Sequence, residues 1–144
     1  MRIERVLRNK GDEVVTIAPA ASVADLLRLL TTHRIGAAVV SGDGRAIEGI
    51  ASERDVVRAM DITGRDALQD TVESIMTSVV QTCTYDDTTE GLMAVMTELR
   101  VRHVPVVGPD GALAGIISIG DVVKARLGEL EDERQALIDY VTQS

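Results

Sequence analysis

Residues Val14 to Met60 and Val80 to Arg126 align at an offset of 66 positions without a gap. Identities include Thr16/Thr82, Leu26/Leu92, Arg34/Arg100, Val40/Val106 and Gly42/Gly108, then the dense run Gly49/Gly115, Ile50/Ile116, Ser52/Ser118, Asp55/Asp121, Val56/Val122 and Val57/Val123. A chain that repeats itself at this length folds as two copies of one supersecondary unit packed on each other. The polar residues kept in the frame Gly-Ile-x-Ser-x-x-Asp-Val-Val then become candidate ligand contacts.

Each copy reads as strand, helix, strand, strand, helix. Val14–Ile17 is a short apolar run, and Ser22 caps a helix whose Val23, Leu26, Leu27 and Leu30 fall at helical spacing, ending near His33. Ala37–Val40 and Ile47–Ala51 flank Ser41-Gly-Asp-Gly-Arg45, a hairpin signal, and Ser52 or Glu53 opens the second helix. The second copy predicts a strand over Val79–Thr82, a helix over Thr88–Leu99 and a hairpin of His103–Val107 with Ala112–Ile117. Its last helix starts at Ile119 or Gly120. The resulting division is a lead-in over 1–13 with a short helix at Arg2–Leu7, repeats over 14–60 and 80–126, a connector over 61–79 with a helical stretch at Val72–Met76, and a helical tail over 127–144.

In the tail, Val123, Leu127, Leu130, Arg134, Leu137 and Val141 recur at spacings of four and three, with acidic residues on the other faces. Such a seam packs on its own domain or on a second subunit. Self-association is the preferred reading, because so short a seam needs other contacts to be stable.

Composition excludes several functions. The 144 residues contain no Trp, no Phe and two Tyr, so the core is aliphatic and base stacking has almost nothing to work with. The net charge of −8 also disfavours a phosphate-backbone binder, so no nucleic-acid partner is expected. The single Cys83 reads as a small buried hydrophobe rather than a redox group. No apolar stretch approaches a signal peptide or membrane span, which predicts a cytoplasmic protein without membrane association. His33 and His103 lack partners at metal-ligand spacing, and no phosphate-binding glycine loop is present. Neither a metal nor a catalytic site is expected, and the chain is not read as an enzyme.

The repeated Ser-x-x-Asp supports two readings. A strand ending in Gly-Ile delivers Ser52 or Ser118 to a strand-to-helix turn, with Asp55 or Asp121 one turn on. A carboxylate there suits the vicinal hydroxyls of a ribose, while the free N–H groups of the helix start favour a phosphate. The same string is also a capping box with Asp in place of Glu, and both roles are compatible. Arg54, Arg102 and His103 are the candidate phosphate donors. Arg54 and Arg102 also fit solvated surface positions, and His103 also fits a satisfied, partly buried histidine.

Two β-α-β-β-α units, each closing with Gly-Ile-x-Ser-x-x-Asp, one with Arg102-His-Val-Pro-Val-Val107 before its hairpin, resemble the cystathionine β-synthase (CBS) domain pair, or Bateman module. The resemblance implies an α/β (α+β) fold of tandem repeats packed with pseudo-two-fold symmetry, commonly joined into disc-like dimers. It places ligands in clefts between the repeats, with Asp55 and Ser52 serving one cleft and Asp121 and Ser118 the other. Base contacts would fall near Thr16 and Ile17 with Ala37 and Ala38, and near Thr82 and Cys83 with His103 and Val104. Val39 stands where the second copy has Pro105, which alters the shape expected of the base pocket.

Three functions follow as expectations. The favoured one is a regulatory module that senses an adenosyl ligand (AMP, ADP, ATP, NAD(H) or S-adenosylmethionine) and signals, as a homodimer, to a regulated partner protein. No cofactor is required. The second is a scaffolding homodimer with no small-molecule ligand. The third, a nucleotide hydrolase, lacks a visible pairing of nucleophile and base.

Overall fold

The computed structural model describes residues 1–143, and Ser144, the last residue of the expected tail, lies outside them. The elements run α1 (Ile3–Lys10), β1 (Thr16–Ile17), α2 (Val23–His33), β2 (Ala37–Val40), β3 (Gly49–Ser52) and α3 (Glu53–Thr63), then a 3-10 segment (Gly64–Gln69). They continue with α4 (Val72–Ile75), α5 (Thr89–Leu99), β4 (His103–Val107), β5 (Leu113–Ser118) and α6 (Ile119–Gln143). In the first repeat β1 pairs parallel with β2, and β2 pairs antiparallel with β3. In the second, β4 and β5 form the matching hairpin.

The strand expected over Val79–Thr82 does not form. Only Cys83 bridges, in parallel, to Val106, giving its N–H to the Pro105 carbonyl at 3.0 Å while its carbonyl accepts from Val107 at 2.9 Å. The residues before it turn outward, and Val79 is 90% exposed, so they have no neighbouring strand to pair with. Likewise β1 is two residues long rather than the four expected over Val14–Ile17.

Local chemistry sets the helix ends alike in both repeats. Ser22 Oγ accepts from the Asp25 N–H at 3.0 Å, and Thr88 Oγ1 from the Gly91 N–H at 3.1 Å. Both helices close on an arginine in the left-handed region, Arg34 at φ 54° and Arg100 at φ 56°. A residue with a Cβ pays steric energy there, and the same residue type bears it at the same register twice.

Two aliphatic clusters form the core, and each borrows its last member from outside its own repeat. Val72, with Ile75 and Met76 at its edge, completes the first cluster around Ile17, Val23, Leu26, Leu30, Ala38, Val40, Ala51 and Val56. Ile3, Val6 and Leu7 of α1 complete the second, with Cys83, Leu92, Met96, Val104, Val106, Ile117 and Val122. The lead-in helix therefore docks on the second repeat and the connector helix on the first. The parallel is atomic: the Ile3 N–H bonds the Asp87 carbonyl and the Val72 N–H bonds the Ala21 carbonyl, both at 2.8 Å. Eight residues make no stable helix alone, so burial of these side chains, about 1.5–3 kcal/mol each, holds α1 in place.

The glycine of each Gly-Ile frame is the landing site for these helices. A Cβ on Gly49 would lie 2.5 Å from Met76 Sδ and 2.8 Å from the Thr77 carbonyl; one on Gly115 would lie 2.7 Å from Leu7 Cδ2. Close approach, rather than a turn, is what keeps these positions small.

The tail differs from one of its two expected packings. Val123, Leu127, Leu130, Leu137 and Val141 are all exposed, Leu137 at 66%, so the seam does not lie against its own domain.

Candidate functional site

Each repeat ends its hairpin with a serine that caps the following helix. Asp55 Oδ2 accepts from the Ser52 N–H at 2.9 Å and from Ser52 Oγ at 3.0 Å, while the Asp55 N–H reaches back to Ser52 Oγ at 3.4 Å. Asp121 Oδ2 accepts from the Ser118 N–H at 2.9 Å, and the Asp121 N–H gives to Ser118 Oγ at 3.1 Å. Both helix starts are tied to the opening of their own repeat's second strand, through Glu53 N–H to Gly36 carbonyl at 3.0 Å and Ile119 N–H to Arg102 carbonyl at 2.8 Å. The capping geometry is thus complete, and each carboxylate also faces a cleft.

The clefts are formed crosswise. Ser52 and Asp55 of the first repeat face Arg100, Arg102 and His103 of the second across a cavity of about 480 Å³, also lined by Ala37, Arg54, Arg58 and the irregular stretch Val79–Gln81. Ser118 and Asp121 of the second repeat face Val15 and Arg34–Ala37 of the first across a cavity of about 350 Å³, closed on one side by Lys10 and Glu13. Both volumes are within the range of small-molecule sites. The His103 ring lies against Gly36, where a Cβ would sit 3.4 Å from it, in ordinary van der Waals contact.

Electrostatics separates the two. The Asp55 cleft gathers Arg54, Arg58, Arg100 and Arg102 around Glu53 and Asp55. Asp55 is buried, 7% exposed, with Arg58 Nη1 3.5 Å from its Oδ1. In the other cleft Lys10 Nζ donates to Asp121 Oδ2 at 2.5 Å and to the Ile116 carbonyl at 2.7 Å. Burial pushes the Asp121 carboxyl up, but the Lys10 hydrogen bond, the Ser118 N–H and the Lys10 charge outweigh it and hold the group below the ordinary carboxylate value. His103 borders both cavities. Burial, aided by Lys10, lowers its pKa against the opposing pull of Asp121 and Glu53, which favours the neutral imidazole at neutral pH.

Of the sequence-derived contacts, Ser52, Arg54, Asp55, Ala37, Arg102 and His103 line the first cavity, and Ser118, Asp121, Ala37 and His103 the second. Thr16, Ile17, Ala38, Thr82, Cys83 and Val104 line neither. Ile17, Ala38, Cys83 and Val104 are core residues, and the cavity wall is formed by the stretch just upstream, Val15 in one cleft and Val79–Gln81 in the other. Burial pushes the Cys83 thiol up to about 12, reinforced by the Asp87 charge, leaving it an inert core group. Sequence reasoning missed Lys10, Arg58, Arg34 and Arg100. The last two carried a usable signal, an arginine repeated at the C-terminus of the same helix.

Among the described residues no cluster of three or more His, Cys, Asp or Glu could hold a metal ion, and no helix is long and apolar enough to cross a membrane.

Comparison with known proteins places this geometry. A CBS domain model matches residues 9–62 and again 72–128. The solved structure of a CBS-domain containing protein from Agrobacterium tumefaciens is 46% identical with a TM-score of 0.84, covering 88% of this chain and 99% of that one. A CBS domain protein from Pyrobaculum aerophilum, solved in complex with AMP, is 27% identical with a TM-score of 0.74, covering 84% and 89%. A mitochondrial CBS domain-containing protein of Arabidopsis thaliana is 38% identical over 124 residues, 83% of this chain but only 60% of the relative's length. With the domain matched twice along most of its length, the chain belongs to the CBS-domain family and carries a CBS pair.

Proposed function

We propose that this CBS pair is a regulatory sensor of an adenosyl nucleotide and signals occupancy to a partner protein through the surface of a homodimer. One observation carries the reading: a buried carboxylate at a helix start and four arginines share one cleft between the repeats. Asp55 Oδ1 accepts from the ribose hydroxyls, and Arg54, Arg58, Arg100 and Arg102 take the phosphates, for which fork-shaped guanidinium groups are suited. The backbone of Val79–Gln81 is placed to read the base. The AMP bound by the Pyrobaculum protein supports the ligand class.

The scaffolding alternative draws on the capping boxes, since Asp55 Oδ2 is already bonded twice within the protein. Calorimetric titration with AMP, ADP, ATP, NAD, NADH and S-adenosylmethionine separates them. The expected result is binding of at least one, weakened 100-fold or more in Asp55→Asn with the melting temperature held within a few degrees. No binding of any of the six assigns the carboxylates to capping alone.

A further inference from the structure

We infer that the two clefts are not equivalent: the Asp55 cleft takes the nucleotide, and in the Asp121 cleft Lys10 occupies the carboxylate, its ammonium standing where a ribose would bond. The inference rests on the nucleotide reading above and adds which site works and what competes for the other.

The packing of the leading helices explains the asymmetry. Ile3 and Val72 make the same backbone bond in the two halves, and Leu7 and Met76 press on the equivalent glycines, Gly115 and Gly49. One turn further on, the equivalent positions are Lys10 and Val79. Lys10 folds into its cleft and makes two bonds, to the Asp121 carboxylate and the Ile116 carbonyl. Val79 borders the other cleft with its side chain 90% exposed and no polar atom to offer Asp55. Asp55 instead meets Arg58 at 3.5 Å, a looser contact from an exposed side chain that can swing toward a phosphate.

Charge points the same way. The Asp121 cleft sets Lys10 and Arg34 against Glu13 and Asp121, which leaves no surplus for an anion. The Asp55 cleft has four arginines against two carboxylates. A ligand entering the Asp121 cleft must displace an ammonium from a half-buried carboxylate and strand a backbone carbonyl, and it meets no net positive field in return.

The test is calorimetric stoichiometry on the full chain with AMP and with adenosine, which brings the ribose without a phosphate into a Lys10→Met cleft left with Arg34 against Glu13 and Asp121. Wild type is expected to bind one AMP per chain and Asp55→Asn none; Lys10→Met is expected to bind a second molecule when the probe is adenosine, and Lys10→Met/Asp55→Asn one. Lys10→Arg, which keeps the cation, is expected to stay at one. Circular dichroism on each variant checks that the fold holds, and methionine preserves most of the lysine's apolar stem. Two sites in wild type, a single site that survives Asp55→Asn, or a Lys10→Met stoichiometry for adenosine still at one overturns the inference while leaving nucleotide sensing intact. Absence of binding to both wild type and Lys10→Met overturns the sensing reading, and this inference with it.

Discussion

His103 stands between the two clefts, against Gly36 on one side and within the field of Lys10, Asp121, Glu53 and Arg102 on the other. Its folded-state pKa lies below the ordinary value of 6.5, so the unfolded chain binds more protons just below that pH. Stability therefore falls as pH drops through about 6.5 and recovers above it. A phosphate arriving beside the ring favours the imidazolium and reverses the shift. Nucleotide binding at pH 6 should then take up more protons in wild type than in His103→Gln, read from calorimetry in two buffers of different ionisation enthalpy. Equal proton uptake in the two proteins removes His103 from the phosphate contacts. The candidate residues that the duplication exposed, Ser52, Asp55, Ser118 and Asp121, were legible because a repeated polar residue is rare where a core alone is conserved between copies. Lys10 was not, since nothing in its neighbourhood hints at a carboxylate more than a hundred residues away.

At the scale of elements, the two Gly-Ile frames look identical in sequence but receive different neighbours. Gly49 abuts the backbone carbonyl of Thr77, whereas Gly115 abuts the end of the Leu7 side chain, which can rotate. Gly49→Ala is expected to cost about 1–3 kcal/mol, and Gly115→Ala clearly less, measured as urea midpoints at unchanged slope. An equal or larger loss for Gly115→Ala would show that Leu7 cannot yield. Helix α2 was readable from apolar spacing and its capping Ser22, α3 from the serine that opens it, and α5 as the counterpart of α2 in the second copy. The strand expected over Val79–Thr82 was misread because an apolar run does not by itself supply a pairing partner, and the connector carries that stretch to the cleft instead. The docking of α1 on the distant repeat is a tertiary choice between two similar surfaces, and no local pattern encodes it.

For the whole molecule, α6 projects an exposed apolar seam, Leu127, Leu130, Leu137 and Val141 among it, along a helix of 25 residues. Association with a second copy is the proposed use of that seam. Leu127→Glu/Leu130→Glu should shift sedimentation from dimer to monomer while leaving the far-ultraviolet spectrum of the fold unchanged, because neither side chain is buried in its own chain. Identical sedimentation of wild type and variant would assign the dimer contact elsewhere, and a monomeric wild type would remove it. The paired architecture itself was visible in the duplication, but the crosswise construction of the clefts was not, since aligning two copies says nothing about which half of one faces which half of the other.

The exchange of leading helices also orders events during synthesis. Residues 3–10 are made before their hydrophobic partners, Cys83 to Val122, with the whole first repeat in between, whereas α4 emerges just after the repeat it completes. The first repeat can close while translation continues. Its neighbour draws on a segment made before either repeat, which waits without its core partners until Val122 has been added.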